Sequence, residues 1–280
     1  MGKIMKYFAV IFLSIFTKSL SQNLSIVYEV NGRFSKSDSL KKKEEMILII
    51  NTQTKESLFQ NRENFDIEGI GDFNEKILKS VSLNQRRNFF DLIYKNFSSQ
   101  LFFQYNSISE KYFKISYSKP VEEWSLLNDE KIILGYNCYK ASMNFGQRKW
   151  IAWYTNEIPI SDGPYKFSGL PGLILEIFSL DDEYHYTMIS LQKNTSNKIF
   201  IPKSIDVDIN ELHKIRKDFI ADPSMYIRQL NNNRNLTSIT TFENQELKID
   251  KEYYSRKNSQ YWDWMKKHDN PLEINEIWLK

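Results

Sequence analysis

The sequence has few of the residues from which common catalytic centres are built. Its 280 residues include one cysteine, Cys138, and three histidines that lie far apart, His185, His213 and His268. A single cysteine cannot form an intramolecular disulfide, so a hydrophobic core must hold the chain together. The separate histidines do not form the HExxH pattern of zinc proteases, and we predict no metal site.

Other catalytic motifs are missing as well. The sequence has no G-x-S-x-G nucleophile elbow, and its glycines are not followed by the Lys-Ser/Thr pair of a phosphate-binding loop. We therefore predict no cofactor and favour a non-enzymatic role. An enzyme stays open as an alternative, because distant residues can assemble into a site, and Cys138, His185 and a carboxylate could meet in the fold.

Long apolar runs are also missing, apart from a short one near the N-terminus. Lys3 and Lys6 precede the apolar residues 8–16, and the small residues of Ser19-Leu20-Ser21 suit cleavage before Gln22. This pattern is typical of a secretory signal peptide, and the run is about half the roughly 20 residues that a spanning helix needs. No cysteine directly follows the run. We predict an exported protein of the periplasm or cell surface, with residues 1–21 as signal peptide, no later transmembrane segment and no lipid anchor.

The charge balance indicates no polyanionic partner. The full chain has a formal net charge of +3, and residues 1–21 contain three lysines and no acidic residue. The remaining chain is close to neutral. We therefore predict no nucleic-acid partner.

What the sequence does contain is a series of short alternating patterns typical of β-strands. Residues 148–155 carry large apolar groups on both faces, as a central strand would. Helical spacing is present in residues 74–97, 209–220 and 253–267. We predict an α+β fold that is mainly β, with a large curved antiparallel sheet and a few packed helices. The β-rich core is expected over residues 22–208, and a helical, polar C-terminal extension over residues 209–280.

One stretch combines two turns with an apolar strand. Asp162-Gly163-Pro164 is a turn pattern, and Pro171-Gly172 predicts a second turn, of type II, in which Gly172 adopts a positive φ. The apolar residues 173–178 then predict a buried strand. We interpret this stretch as a structural corner that leads into the sheet, with a functional Gly-rich loop as the alternative.

The same stretch carries a family resemblance. The motif GLPGLI is spelled by Gly169, Leu170, Pro171, Gly172, Leu173 and Ile174. With it, the chain resembles the GLPGLI family, a group of exported, uncharacterised proteins of Bacteroidetes. The resemblance extends over residues 135–141, 150–155, 158–159 and 163–164, and the Asn-Pro-Leu-Glu of residues 270–273 resembles a tail of the family. It implies an extracytoplasmic, β-rich protein and supplies no catalytic residues.

These observations lead to a function hypothesis. We predict a cell-envelope protein that binds an apolar ligand or an outer-membrane protein partner, by analogy with half-barrel carriers of the envelope. The expected contacts are Trp150, Trp153, Tyr154 and Tyr165. A periplasmic hydrolase and a structural component of a surface assembly are the alternatives, and the oligomeric state is left open.

Overall fold

The structure is a computed structural model that describes residues 23–68, 92–109, 111–118, 123–193, 198–240 and 246–274. The predicted signal peptide and most of the predicted helix at 74–97 lie outside these residues. The division of the chain at residue 209 stays a prediction. No helix within the described ranges is long and apolar enough to cross a membrane.

The chain forms a large sheet with a few helices, as the sequence predicts. The strands are β1 (Asn23–Gly32), β2 (Lys42–Asn51), β3 (Glu56–Asn61), β4 (Leu92–Asn96), β5 (Leu101–Ile108), β6 (Lys111–Ser118), β7 (Ser125–Ile133), β8 (Tyr136–Phe145), β9 (Arg148–Thr155), β10 (Leu173–Ser179), β11 (Tyr184–Lys193), β12 (Ser204–Asp206), β13 (Ser238–Thr240) and β14 (Glu246–Lys248). The helices are α1 (Arg62–Glu68), α2 (Ile209–Ala221), α3 (Met225–Asn233) and α4 (Lys251–Lys266).

Twelve strands make one open sheet in the order β12-β6-β5-β4-β3-β2-β1-β11-β10-β9-β8-β7. Neighbouring strands are antiparallel except β12, which runs parallel to β6. Strands that follow one another in sequence pair along both halves of the sheet, and β1 joins the halves by pairing with both β2 and β11. The predicted α+β, mainly β fold is confirmed. Within the described residues, β12 and β7 are the edges of the sheet.

The two faces of the sheet are covered differently. Strand register places Trp150 and Ile177 on one side, which we call the inner face. Trp153 and Glu176 pair with each other on the opposite side, which we call the outer face. The connection between β9 and β10 folds over the inner face, where the Phe167 and Trp150 rings pack with centroids 4.8 Å apart. Residues of β9 are buried on both faces, which confirms its predicted central position.

Two of the described helices, α2 and α4, begin directly after an aspartate that caps them. Asp208 and Glu211 form a capping box at the start of α2, because each side chain accepts a hydrogen bond from the other residue's backbone N–H. Leu212 and Phe219 of α2 are buried against Phe113 of β6. The predictions of helices at 209–220 and 253–267 match α2 and α4.

The predicted helix at 74–97 is wrong at its end. Ile93 and Tyr94 lie in β4, where Ile93 pairs with Phe59 of β3. Four consecutive residues of β4, Leu92 to Lys95, are buried, so both faces of this strand are covered. Apolar spacing cannot separate a short helix from a strand that is buried on both faces.

Candidate functional site

The motif residues form the corner at which the β9–β10 connection enters β10. Leu173 begins the strand, and its N–H donates to the carbonyl of Ile158 at 3.0 Å. The predicted positive φ of Gly172 is wrong, since the motif glycine with a positive φ is Gly169, at 104°. Gly172 is needed for space instead: a Cβ atom there would lie 1.8 Å from the carbonyl oxygen of Thr155.

A buried ion pair fastens this corner to the other half of the sheet. The Lys95 ammonium of β4 donates to Asp162 Oδ1 at 2.5 Å and to the Gly163 carbonyl at 2.8 Å. Both charged side chains are completely buried. Burial lowers the pKa of Lys95, while the Asp162 carboxylate raises it and so favours the charged form. Breaking such a pair leaves an isolated buried charge, which makes it a constraint on the position of the corner.

The C-terminal segment is anchored where β9 begins and β10 ends. Asn270 accepts from Arg148 at 2.6 Å, and its amide donates to the Arg33 carbonyl at 2.6 Å and to Glu183 at 2.8 Å. Arg148 also donates to the carbonyl oxygens of Pro271 and Leu272. The Asn270 side chain thus joins three parts of the chain: the start of β9, the residue after β1 and the β10–β11 turn.

The same segment reaches the residues just before the motif. Glu273 accepts from the Tyr165 hydroxyl at 2.6 Å and from the Lys166 ammonium at 2.5 Å. Ile274 donates its N–H to the carbonyl of Gly146 at 2.9 Å, in the β8–β9 turn. Two stretches that carry the family resemblance, residues 270–273 and the motif region, are therefore joined by direct hydrogen bonds.

A cleft of about 260 Å³ opens beside this anchor. Its walls are largely charged, and the guanidinium groups are paired: Arg33 with Glu183 at 3.1 Å, and Arg148 with Asp181. The charges compensate one another across the cleft. Six of the nine residues that line the cleft are charged, and the cleft lies at the C-terminal anchor.

All four predicted contact residues are buried, including Trp153, which is 9% exposed. Trp150 is fully buried and donates its indole N–H to the Phe145 carbonyl at 3.0 Å, and Tyr165 and Tyr154 are 1% and 5% exposed. Trp153 lies apart from them on the outer face. Binding by these residues stays a prediction, and Trp153 is the member whose face is not covered by the β9–β10 connection.

Charged residues surround Trp153 on the outer face. The Lys131 ammonium lies 4.4 Å from the centre of its ring and pairs with Glu176. Glu176 also bonds His185 Nε2 at 2.7 Å. Burial raises the pKa of Glu176, but hydrogen bonds from His185 and Lys131 outweigh it and lower the pKa below its usual value. Glu176 therefore binds the Lys131 ammonium, which lies over the Trp153 ring, and the His185 imidazole.

The fold brings His185 beside a carboxylate, as the hydrolase alternative requires, but Cys138 does not provide an activated nucleophile. Its side chain is fully buried, and burial raises the pKa of the thiol to about 11. The thiolate is the reactive form of cysteine, and at neutral pH this thiol is protonated. No cluster of three or more metal-ligating side chains occurs in the described part of the chain.

Strand β7 is the surface that the sequence reasoning missed. It is an edge of the sheet, and it exposes Leu126, Leu127 and Ile132 by 61%, 38% and 72%. Leu134, in the turn after it, is 59% exposed. Natural edge strands are usually short, charged or covered, because their unpaired backbone groups can bind another chain. The signal available in the sequence was four consecutive polar residues, 128–131, between two apolar pairs.

Comparison with known families identifies one short match. A family described as "Protein of unknown function (Porph_ging)" matches residues 144–176. These residues include the motif, so the match is compatible with the GLPGLI resemblance, and the family is an uncharacterised one associated with Bacteroidetes. No curated protein matches the chain.

Solved structures show a likeness of fold. A structure of PNGF-II in space group P21 matches with a TM-score of 0.51 at 17% identity, over 69% of this chain and 33% of that chain. A second PNGF-II structure, in space group C2, gives a TM-score of 0.52 at 16% identity, over 69% and 32%. The present chain thus spans about a third of the length of PNGF-II. At this identity the likeness concerns the fold alone.

Proposed function

We propose that this chain is an exported cell-envelope protein that binds a protein partner and acts without catalysis. The observation that carries the proposal is the open edge of β7, with its exposed leucine and isoleucine side chains. Contiguous apolar groups on a surface favour association, and unpaired backbone groups add directional hydrogen bonds.

Binding of a partner fits the geometry better than binding of an apolar ligand. The inner face is filled by aromatic side chains, with Phe167 packed between Phe145 at 5.3 Å and Trp150 at 4.8 Å. The cleft at the C-terminal anchor has charged walls. A ligand pocket is expected to be concave and mostly apolar. The inner face is filled, and the residues that line the cleft are mainly charged.

Binding also fits the chemistry of the outer face better than hydrolysis does. The Cys138 thiol, which the hydrolase alternative would use with the Glu176–His185 pair, is protonated and buried. Lys131 and His185 both satisfy the Glu176 carboxylate. We interpret this arrangement as a stable polar cover for Trp153.

Crosslinking in intact cells tests the proposed function. A photoreactive amino acid replaces Ile132 on β7 or, as the matched control, Leu180 in the β10–β11 turn, which is 54% exposed. We expect one discrete covalent adduct from position 132 and none from position 180. Absence of an adduct at position 132, or the same adducts from both positions, would contradict a binding role for this edge.

The export part of the proposal has its own test. Mass spectrometry of the protein from fractionated cells should find a mature N-terminus at Gln22, in the periplasmic or cell-surface fraction. A cytosolic chain that retains residues 1–21 would refute export.

A further inference from the structure

The regular half of β7 has the features of an acceptor for an added strand. The pairing with β8 shifts register between Leu126 and Glu130 and is regular from Glu130 to Ile133. A bulge twists an edge and interrupts its ladder, so the bulged half is a poor template and the regular half a good one. An added strand would therefore pair with Glu130 to Ile133.

The charges along this half leave one carboxylate without a partner. Asp129 pairs with Lys140 at 3.2 Å, and Lys131 pairs with Glu176. Glu130 lies between them, is exposed, and forms no ion pair with another described residue. Alternate residues of a strand share a face, so Glu130 and Ile132 point to the same side of the sheet. That side presents a carboxylate that has no ion-pair partner among the described residues, next to the Ile132 side chain, which is 72% exposed.

A second copy of this chain fits the edge poorly. Two β7 strands related by a two-fold axis pair residues symmetrically about a central one. Centring on Glu130 places two carboxylates opposite each other, and centring on Lys131 places two ammonium groups opposite each other. Centring on Ile132 places Glu130 opposite Leu134 and Lys131 opposite Ile133. Centring on Ile133 would place Ile132 opposite Leu134, but Leu134 lies in the turn after the strand with a φ of 50° and cannot extend the ladder. Like charges directly opposite destabilise a strand pair, and charges opposite aliphatic groups gain nothing, which favours a different partner.

We infer that β7 accepts an extended, antiparallel segment of another protein that carries an aliphatic and a basic residue at alternate positions. The basic residue lies opposite Glu130, and the aliphatic residue lies opposite Ile132. The partner's backbone completes the ladder along Glu130 to Ile133. This inference rests on the proposed partner-binding function and names the chemistry of the partner.

Two matched peptides test the inference. Both are nine-residue extended peptides rich in isoleucine; one has lysine at the central alternate position and the other has glutamate there. The purified protein is titrated with each, and amide signals of β7 are followed by NMR. We expect the lysine peptide to bind about tenfold more tightly than the glutamate peptide, and to slow amide exchange in β7.

The variant Glu130→Lys provides the control, since an exposed edge charge can change without disturbing the core. It should reverse the preference, so that the glutamate peptide binds more tightly. Equal binding of both peptides, binding of neither, or signal changes confined to other strands would overturn the inference. If that happens while position 132 still gives its adduct in cells, the partner has a different chemistry and the proposed function stands. If the adduct at position 132 is also absent, both the inference and the proposed function are refuted.

Discussion

Replacing Gly172 with alanine tests whether the motif glycine is required for space. A Cβ atom at this position would lie 1.8 Å from the carbonyl oxygen of Thr155 and 2.6 Å from its carbonyl carbon, whereas ordinary contact begins near 3.4 Å. The end of β9 and the start of β10 must therefore separate by about 1.5 Å in a close-packed region. That movement breaks the bond from the Leu173 N–H to the Ile158 carbonyl.

The expected cost follows from these contacts. Overpacking costs about 1–3 kcal/mol, and a lost backbone hydrogen bond adds about 1 kcal/mol, so the free energy of unfolding should fall by about 2–4 kcal/mol. For a domain of this size the corresponding fall in melting temperature is about 10 °C.

Gly135→Ala is the matched control. Gly135 has a φ of 85° and no atom within 4 Å of a Cβ, so alanine there meets backbone strain alone, at about 1 kcal/mol. Thermal unfolding of both variants, followed by circular dichroism, measures the difference. Equal stability of the two variants would refute the argument from close approach.

Three further predictions concern the buried contacts. Lys95→Met should lower the free energy of unfolding by about 3–5 kcal/mol, because Asp162 is left buried and charged. In urea titrations, the double variant with Asp162→Asn should recover part of this loss. If the losses of the two single variants simply add, the two residues are not a coupled pair. Asn270→Ala should loosen the C-terminal segment, which would be seen as faster proteolysis after residue 266. Lys267→Ala, at an exposed position, should leave the rate of proteolysis unchanged. Equal cleavage of the two variants would argue against the anchor. The lowered pKa of Glu176 stabilises the fold above the unfolded pKa of about 4.3, and this contribution is lost as pH falls through the folded pKa. Glu176→Gln should therefore be less stable than the wild type at pH 7 and equal to it at pH 2, and a difference that persists at pH 2 would show that the effect is not ionic.

Much of the sheet was predictable because the alternation of apolar and polar residues in most strands indicates which face is buried. The alternation in β8 and the two-sided apolar pattern of β9 predicted these strands, and the helical spacing of residues 209–220 predicted α2. The helical interpretation of β4 failed because that strand is buried on both faces, which removes the period of two.

The contacts that fix the motif were not predictable from local pattern. Lys95 and Asp162 are 67 residues apart, and each alone has the character of a surface residue. The type II turn was inferred from Pro-Gly alone, whereas the close approach of Thr155 depends on the path of the preceding strand. Contacts between residues this far apart in sequence cannot be inferred from local sequence patterns.

The position of β7 at the edge depends on the order in which the strands pair, and the sequence of one strand does not determine that order. Its central polar residues, 128–131, are the kind of feature that protects an edge, and they break the apolar pattern that marks a central strand. The sequence therefore contained a sign of an edge, but not which half of β7 is regular.

Native-state amide exchange along β7 tests most directly whether this edge is open for a partner. In the isolated protein we predict that alternate amides between Glu130 and Ile133, those that point away from β8, exchange quickly, while amides of β1, paired on both sides, exchange slowly. If every amide in that half of β7 exchanges as slowly as those of β1, the edge is already covered, and the account of β7 as an acceptor is wrong.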